Sequence, residues 1–173
     1  MKKTTKVLLA TTMSLSTLLG ASISTVPVQQ EAHAATVPHY SYHGYIGKDA
    51  SFLTDKYFVN AIKHQNVKFN DVKLAKTNSK TSIEKYDQKF NGITSDGQKA
   101  NQLQFVVKDD VSLSGLQKAY GQQLKSKTPQ SADKQSGIFY YQPKKNQLGI
   151  WFVVNHNKVV EVAMGYAPYT TSK

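Results

Sequence analysis

The chain has no cysteine. Disulfide staples, thiol nucleophiles and thiolate metal sites are therefore excluded, and an apolar core must hold the fold unaided. It has no arginine either, because all 22 cationic residues are lysine. Arginine makes the bidentate contact with guanine that dominates base reading in the major groove, and it stacks well on bases. A chain lacking it, if it meets nucleic acid, is expected to hold phosphates through hydrated point charges and to ignore base sequence. Acidic residues number only 11, and His39, His43, His64 and His156 are spread along the chain. HExxH, GxSxG, P-loop and GxGxxG patterns do not occur. A nuclease needs a carboxylate cluster to gather metal, or a histidine base beside a phosphate clamp. Neither can be assembled, so the chain reads as a binding protein and not an enzyme, with no cofactor and no metal site. The His39/His43 pair has only Asp49 as a nearby carboxylate and reads as part of an edge strand.

Long hydrophobic runs are confined to the start. Lys2, Lys3 and Lys6 precede an apolar stretch from Val7 to Ser24, and Ala32-His33-Ala34 supplies a small-x-small cleavage site. This is the pattern of a signal peptide over residues 1–34, cut after Ala34 to leave a single secreted domain, 35–173. No later run reaches the roughly 20 apolar residues that span a bilayer. The product is expected to be extracellular and held loosely at a cell surface by charge. Removing three lysines (Lys2, Lys3, Lys6) and one glutamate (Glu31) takes the formal charge from +11 to +9. Such a field attracts nucleic acid and other polyanions of a cell surface, although a basic chain can also owe its charge to solubility alone.

The densest apolar run of the domain is Leu148 to Val154, followed by Asn155-His156-Asn157 and a second run from Val159 to Met164. Two β-branched, aromatic-rich segments around a three- or four-residue polar turn predict a β-hairpin. The first arm is apolar at nearly every position, as in a strand covered on both faces. The second places Val160 and Val162 opposite Val159, Glu161 and Ala163. This hairpin is taken as the centre of the sheet.

The other elements follow in order. Thr36 to Gly47 carries Tyr40, Tyr42 and Tyr45 and reads as a short edge strand packed on the domain, with an N-terminal arm whose rings stack on bases or sugars as the alternative. Residues 50–65 predict a helix with Phe52, Phe58, Val59 and Ile62 on one face and Asp49 or Ser51 as its cap. Val67 to Ala75 predicts a strand with a bulge at Asn70-Asp71. Residues 83–93 give a weak strand, although the spacing of Ile83, Tyr86 and Phe90 also suits a helix; 95–99 read as a turn and Leu103 to Val107 as a clear strand. Residues 109–124 predict a second helix, capped by Ser112, with Leu113, Leu116, Tyr120 and Leu124 in one stripe and Asp109-Asp110 serving its start. Residues 125–136 read as a surface loop and Ile138 to Gln142 as a strand. The class is therefore α+β, an antiparallel sheet with two helices, and the order suggests a repeated α-β-β-β unit.

Lysine is organised more tightly than composition requires. Lys63, Lys68, Lys73, Lys76, Lys80, Lys85 and Lys89 recur every three to five positions, with Tyr57, Phe69 and Tyr86 among them. Lys144 and Lys145 sit at a turn. Each lysine singly reads as a solvated surface position. Together with Tyr86 they form a candidate nucleic-acid-binding patch, in which lysines follow a phosphate backbone and rings stack on exposed bases.

The segments GYIG, DKYFVNAIKHQNVKFNDVKLAKTN, EKYDQKF, LQFVVKDDVSL, LQKAYG, SGIFYYQ and LGIWFVVNHNKVVEVAMGYAPYTTSK resemble the immunodominant staphylococcal antigen B family. The resemblance runs through essentially all of residues 35–173. It implies an exported, surface-associated, immunogenic protein that binds DNA or RNA without sequence preference, with a role in virulence or in the biofilm matrix. It assigns no site residues, so the lysines named above rest on charge pattern alone. The competing reading is a host-interaction factor or inhibitor that binds protein through a Tyr-rich surface and an exposed sheet edge.

Overall fold

The structure is a computed structural model and describes residues 36–127 and 133–166. The predicted signal peptide and its cleavage site lie outside the described residues. Among the described residues no helix is long and apolar enough to cross a membrane.

Two sheets share one core. The larger has seven antiparallel strands, in the spatial order β4 (Ser82–Lys85), β5 (Gln88–Asn91), β7 (Gln102–Val106), β11 (Lys158–Gly165), β10 (Gly149–Asn155), β9 (Gly137–Tyr141) and β8 (Lys125–Ser126). The hairpin expected at the centre is there: β11 is the middle strand, with β10 beside it. The smaller sheet contains β1 (Tyr40–Tyr42), β2 (Val67–Phe69), β3 (Val72–Leu74) and β6 (Lys99–Ala100). In it β1 runs parallel to β2, and β3 parallel to β6. The class is α+β, but the strands do not repeat as α-β-β-β. Six strands divided between two sheets follow the first helix, and four strands of one sheet follow the second.

Short helical segments pack on the sheets: Phe58 of the first helical region meets Phe69 of the small sheet, and Tyr120 of the second meets Tyr141 and Phe152 of the large one. The first predicted helix is broken in two, a 3-10 turn at Ser51–Thr54 and then α1 at Lys56–Lys63. Asp55 makes the break: its backbone is extended, and its carboxylate accepts the Tyr57 amide at 2.7 Å, so it caps α1 in place of Asp49 or Ser51. Phe52 in the 3-10 turn joins the two layers, 5.8 Å from the Phe69 ring of the small sheet and 6.4 Å from Phe105 of the large one. The second helix, α2 (Leu113–Tyr120), starts at Ser112 as expected, whose hydroxyl accepts the Gly115 amide at 3.1 Å. It ends at Gly121, whose φ of +58° stops the helix. Asp109 does not serve the helix start. Its carboxylate accepts the Ala50 amide at 2.9 Å and ties this loop to the 3-10 turn, while Asp110 pairs with Lys158 at 3.0 Å.

Three local expectations change in ways that hydrogen bonding explains. Asn70 and Asp71 are not a bulge. Both have positive φ, +48° and +70°, and they form a two-residue turn that closes the β2–β3 hairpin. His156 and Asn157, at +46° and +66°, do the same between β10 and β11, so that turn is shorter than expected. The bulge lies elsewhere, where the register shifts between Val153 and Val154 and Val160 becomes the extra residue. Val159 therefore turns inward to 2% exposure, while Val160 stays exposed and Glu161 faces out. Finally, residues 83–93 hold two strands, β4 and β5, joined by Tyr86-Asp87.

Candidate functional site

The small sheet has one apolar and one basic face. In β2 and β3 the alternation is strict: Val67, Phe69, Val72 and Leu74 are buried, and Lys68 and Lys73 are exposed between them. In β6 Ala100 is buried and Lys99 exposed. The register then sets the lysines in line. Lys68 stands directly opposite Lys73, Lys73 directly opposite Lys99, and Ser41 continues the row on β1. Adjacent strands lie about 4.8 Å apart, so three ammonium-bearing side chains rise from about 10 Å of sheet.

Like charges placed directly across a strand pair destabilise it by about 0.2–1 kcal/mol. Among the described residues no ion pair relieves this row. Asp71, at the adjacent turn, lies 3.7 Å from His43 Nε2. Asp96 gives Lys99 some compensation. A hydrogen bond from the Thr94 hydroxyl, then the Gln98 amide and the charge of Lys99, hold its carboxyl below the usual range. The row is thus a concentrated, self-repelling set of cations on an otherwise ordinary short sheet.

A buried polar knot holds this sheet against the large one. Asn70, 1% exposed, accepts the Gly44 amide at 2.6 Å and donates to the Gly44 carbonyl at 3.2 Å and to Gln88 Oε1 at 2.8 Å. Gln88, equally buried, donates to the Gly44 carbonyl at 2.7 Å. Asp87 accepts the amides of Ile46 and Gly47 at 3.0 and 2.7 Å. Partial burial pushes the Asp87 carboxyl up, but those two amides and the Gln88 side chain together hold it below its ordinary value. The knot also captures one predicted site residue. Lys85 is half-buried and donates to the Asn70 carbonyl at 2.7 Å, so its ammonium is committed within the fold.

The remaining predicted residues are dispersed. Lys76 leaves the end of β3 with its ammonium 5.8 Å from the ring centre of Tyr166. Lys80 is exposed in the segment before β4. Lys89 lies on the outer face of the large sheet, between Glu84 and Gln104 in the register. Tyr86 is 52% exposed with φ +60°, and its ring meets Tyr45 edge-on at 5.0 Å. Lys144 and Lys145 are exposed in the turn between β9 and β10. Lys63 lies on α1, beside a groove shared with α2. Of the predicted set, only Lys68 and Lys73 share the row.

Lys99 was not among the residues singled out from sequence. Its strand is two residues long and sits in a Gly- and Asp-containing stretch that reads as a turn. The one signal is the step from Lys99 to buried Ala100, too short to reveal a period. A shallow depression of about 300 Å³ beside Lys89 also contains Glu84, Asp87 and Glu161. Three carboxylates against one lysine make it unsuited to a polyanion. Among the described residues no group of three or more His, Asp or Glu side chains could hold a metal ion.

Comparison with known proteins agrees with the sequence resemblance. The family model described as immunodominant staphylococcal antigen B matches residues 39–164. Proteins of that name from Staphylococcus aureus strains USA300 and N315 are each 54% identical over 175 residues, covering 100% of both chains. No solved structure matches.

Proposed function

We propose a function on this premise: the chain belongs to the immunodominant staphylococcal antigen B family. It is a secreted, loosely surface-associated protein that binds extracellular DNA or RNA without regard to sequence, and it acts by binding rather than by turnover. The single observation that carries this reading is the cross-strand row Lys68–Lys73–Lys99. Three adjacent cations repel one another in the free protein, and a phosphate backbone laid across them relieves that repulsion as it binds. The absence of arginine supports sequence indifference, since lysine meets phosphate as a point charge and lacks the fork that reads guanine. A formal +9 beyond the predicted leader supplies long-range attraction that falls with ionic strength. A role in virulence or in the biofilm matrix follows from holding nucleic acid outside the cell.

A protein-binding function has one observation in its favour, the exposed Tyr45–Tyr86 pair. Both readings are tested by binding residues 35–173 to two labelled DNA duplexes of unrelated sequence, with EDTA present and absent, across a salt series. Nucleic-acid binding predicts equal affinities that fall together with salt, and intact DNA in both conditions. Absence of binding at low salt turns attention to the tyrosine surface. DNA loss that EDTA prevents identifies a nuclease.

A further inference from the structure

We propose that the groove between α1 and α2 is a second nucleic-acid contact, so that one chain holds two strand segments at once and bridges them. The inference rests on the nucleic-acid reading given above and adds a second, aromatic-bearing site to it. The groove has a volume of about 370 Å³ and is lined by Lys56, Tyr57, Val59, Asn60, Lys63 and Ala119. No carboxylate lines it, in contrast to the depression beside Lys89, where three do. The nearest acid in sequence, Asp55, is occupied in capping the Tyr57 amide at 2.7 Å.

Each component suits a polynucleotide strand. Lys56, Asn60 and Lys63 fall at i, i+4 and i+7 and so share one face of the helix. At 1.5 Å per residue the two lysines are about 10 Å apart along the axis, the length of about three phosphates at the 3.4 Å rise of one DNA strand. Tyr57 is 58% exposed beside them, and the Lys56 ammonium lies 5.2 Å from its ring centre. An exposed ring flanked by cations is the combination that stacks on a base while its phosphates are neutralised. The Asn60 amide offers both a donor and an acceptor to a base edge. Lys56 also stands in the first turn of α1, where the helix dipole disfavours a cation, so helix stability does not account for it.

The groove and the lysine row lie on opposite sides of one helix-on-sheet layer. Phe58 of α1 packs on Tyr40 at 5.2 Å and Phe69 at 6.4 Å, against the buried face of the small sheet. Lys68, Lys73 and Lys99 rise from the other face of that sheet, and the groove lies on the exposed side of α1. A helix alone is about 10 Å thick, so one short piece of backbone cannot touch both sites. Two contacts that a single strand segment cannot share make the chain bivalent.

The test uses residues 35–173, at a concentration where light scattering gives a monomer, with a mixture of donor- and acceptor-labelled four-nucleotide DNA strands, each about 14 Å long and too short to reach both sites. Native mass spectrometry counts strands per chain, and energy transfer reports bridging. The wild type is expected to carry two strands and give transfer. Tyr57→Ala with Lys63→Gln should carry one strand and lose the transfer, with about tenfold or greater weakening at that site, as expected for one stacked base and one phosphate contact. Lys68→Gln with Lys73→Gln and Lys99→Gln should also lose transfer while the groove still holds one strand. A wild type that binds only one strand, or a Tyr57/Lys63 variant that still carries two, overturns the inference and leaves the lysine row standing. A wild type that binds none overturns both.

Discussion

At Lys73 two demands oppose each other. Its side chain faces Lys68 on one neighbouring strand and Lys99 on the other, so stability would favour an acid there. Lys73→Glu is therefore expected to stabilise the domain by about 0.5–1 kcal/mol, seen as a raised urea midpoint, while weakening DNA binding. A charge that harms the fold and aids binding belongs to a site, so a variant less stable than wild type would argue against the row's role. Asp87 gives a second residue-level prediction. Its carboxyl is held below the unfolded value of 3.8, so its contribution is complete above that pH and is lost as pH falls through the lower folded value. Acid unfolding of Asp87→Asn should show a shallower loss of stability below pH 3.8 than wild type. Lysine recurs periodically from Lys63 to Lys89, but of that run only Lys68 and Lys73 meet across strands. Lys85 looked equivalent and is instead bound to the Asn70 carbonyl. Spacing along a chain cannot show which neighbours a sheet will supply.

Among the elements, the readable ones were those long enough to display a period. β7, β9, the β10–β11 hairpin and α2 are each five or more residues long and carry a dense apolar run or stripe, and each was legible, although β10 is buried on both faces and β9 buries only Tyr141. The strands of the small sheet are two or three residues long, and two of its pairings are parallel, so their partners lie far away in sequence. Their turns were misread for a chemical reason. In the β2–β3 turn Asn70 and Asp71 adopt positive φ without glycine, which removes the usual hairpin marker. Asn70 also anchors the polar knot, and Asn70→Ala would strand Gln88 Oε1 and the Gly44 amide in a buried site. A loss of about 3 kcal/mol is expected by urea denaturation. At the C-terminal end of β11, a Cβ on Gly165 would collide with the Asn101 carbonyl oxygen and lie 2.8 Å from the Gln102 Cα. Both obstacles are backbone, at the first residue of the paired strand β7 and the residue before it. Gly165→Ala should accordingly lower stability by about 2–3 kcal/mol, in the range of overpacked sites.

The whole molecule sets two sheets around a shared core, with the lysine row outward on the smaller one. The α+β class and the central hairpin were legible because hydrophobic alternation dictates them. The division into two sheets was not, because it depends on Phe52 reaching both layers and on the buried amides of Asn70 and Gln88. The basic charge was legible from composition, but its concentration in one cross-strand row required the register. The row's contribution to binding is measured most directly by comparing the salt dependence of DNA affinity for wild type and for Lys68→Gln/Lys73→Gln/Lys99→Gln. Each phosphate contact contributes about 0.9 to the slope of log affinity against log salt on duplex DNA. The variant is expected to bind more weakly at every salt concentration, with its slope shallower by about 2–3. Equal affinities and equal slopes would contradict the account and place nucleic-acid binding, if any, elsewhere on the chain.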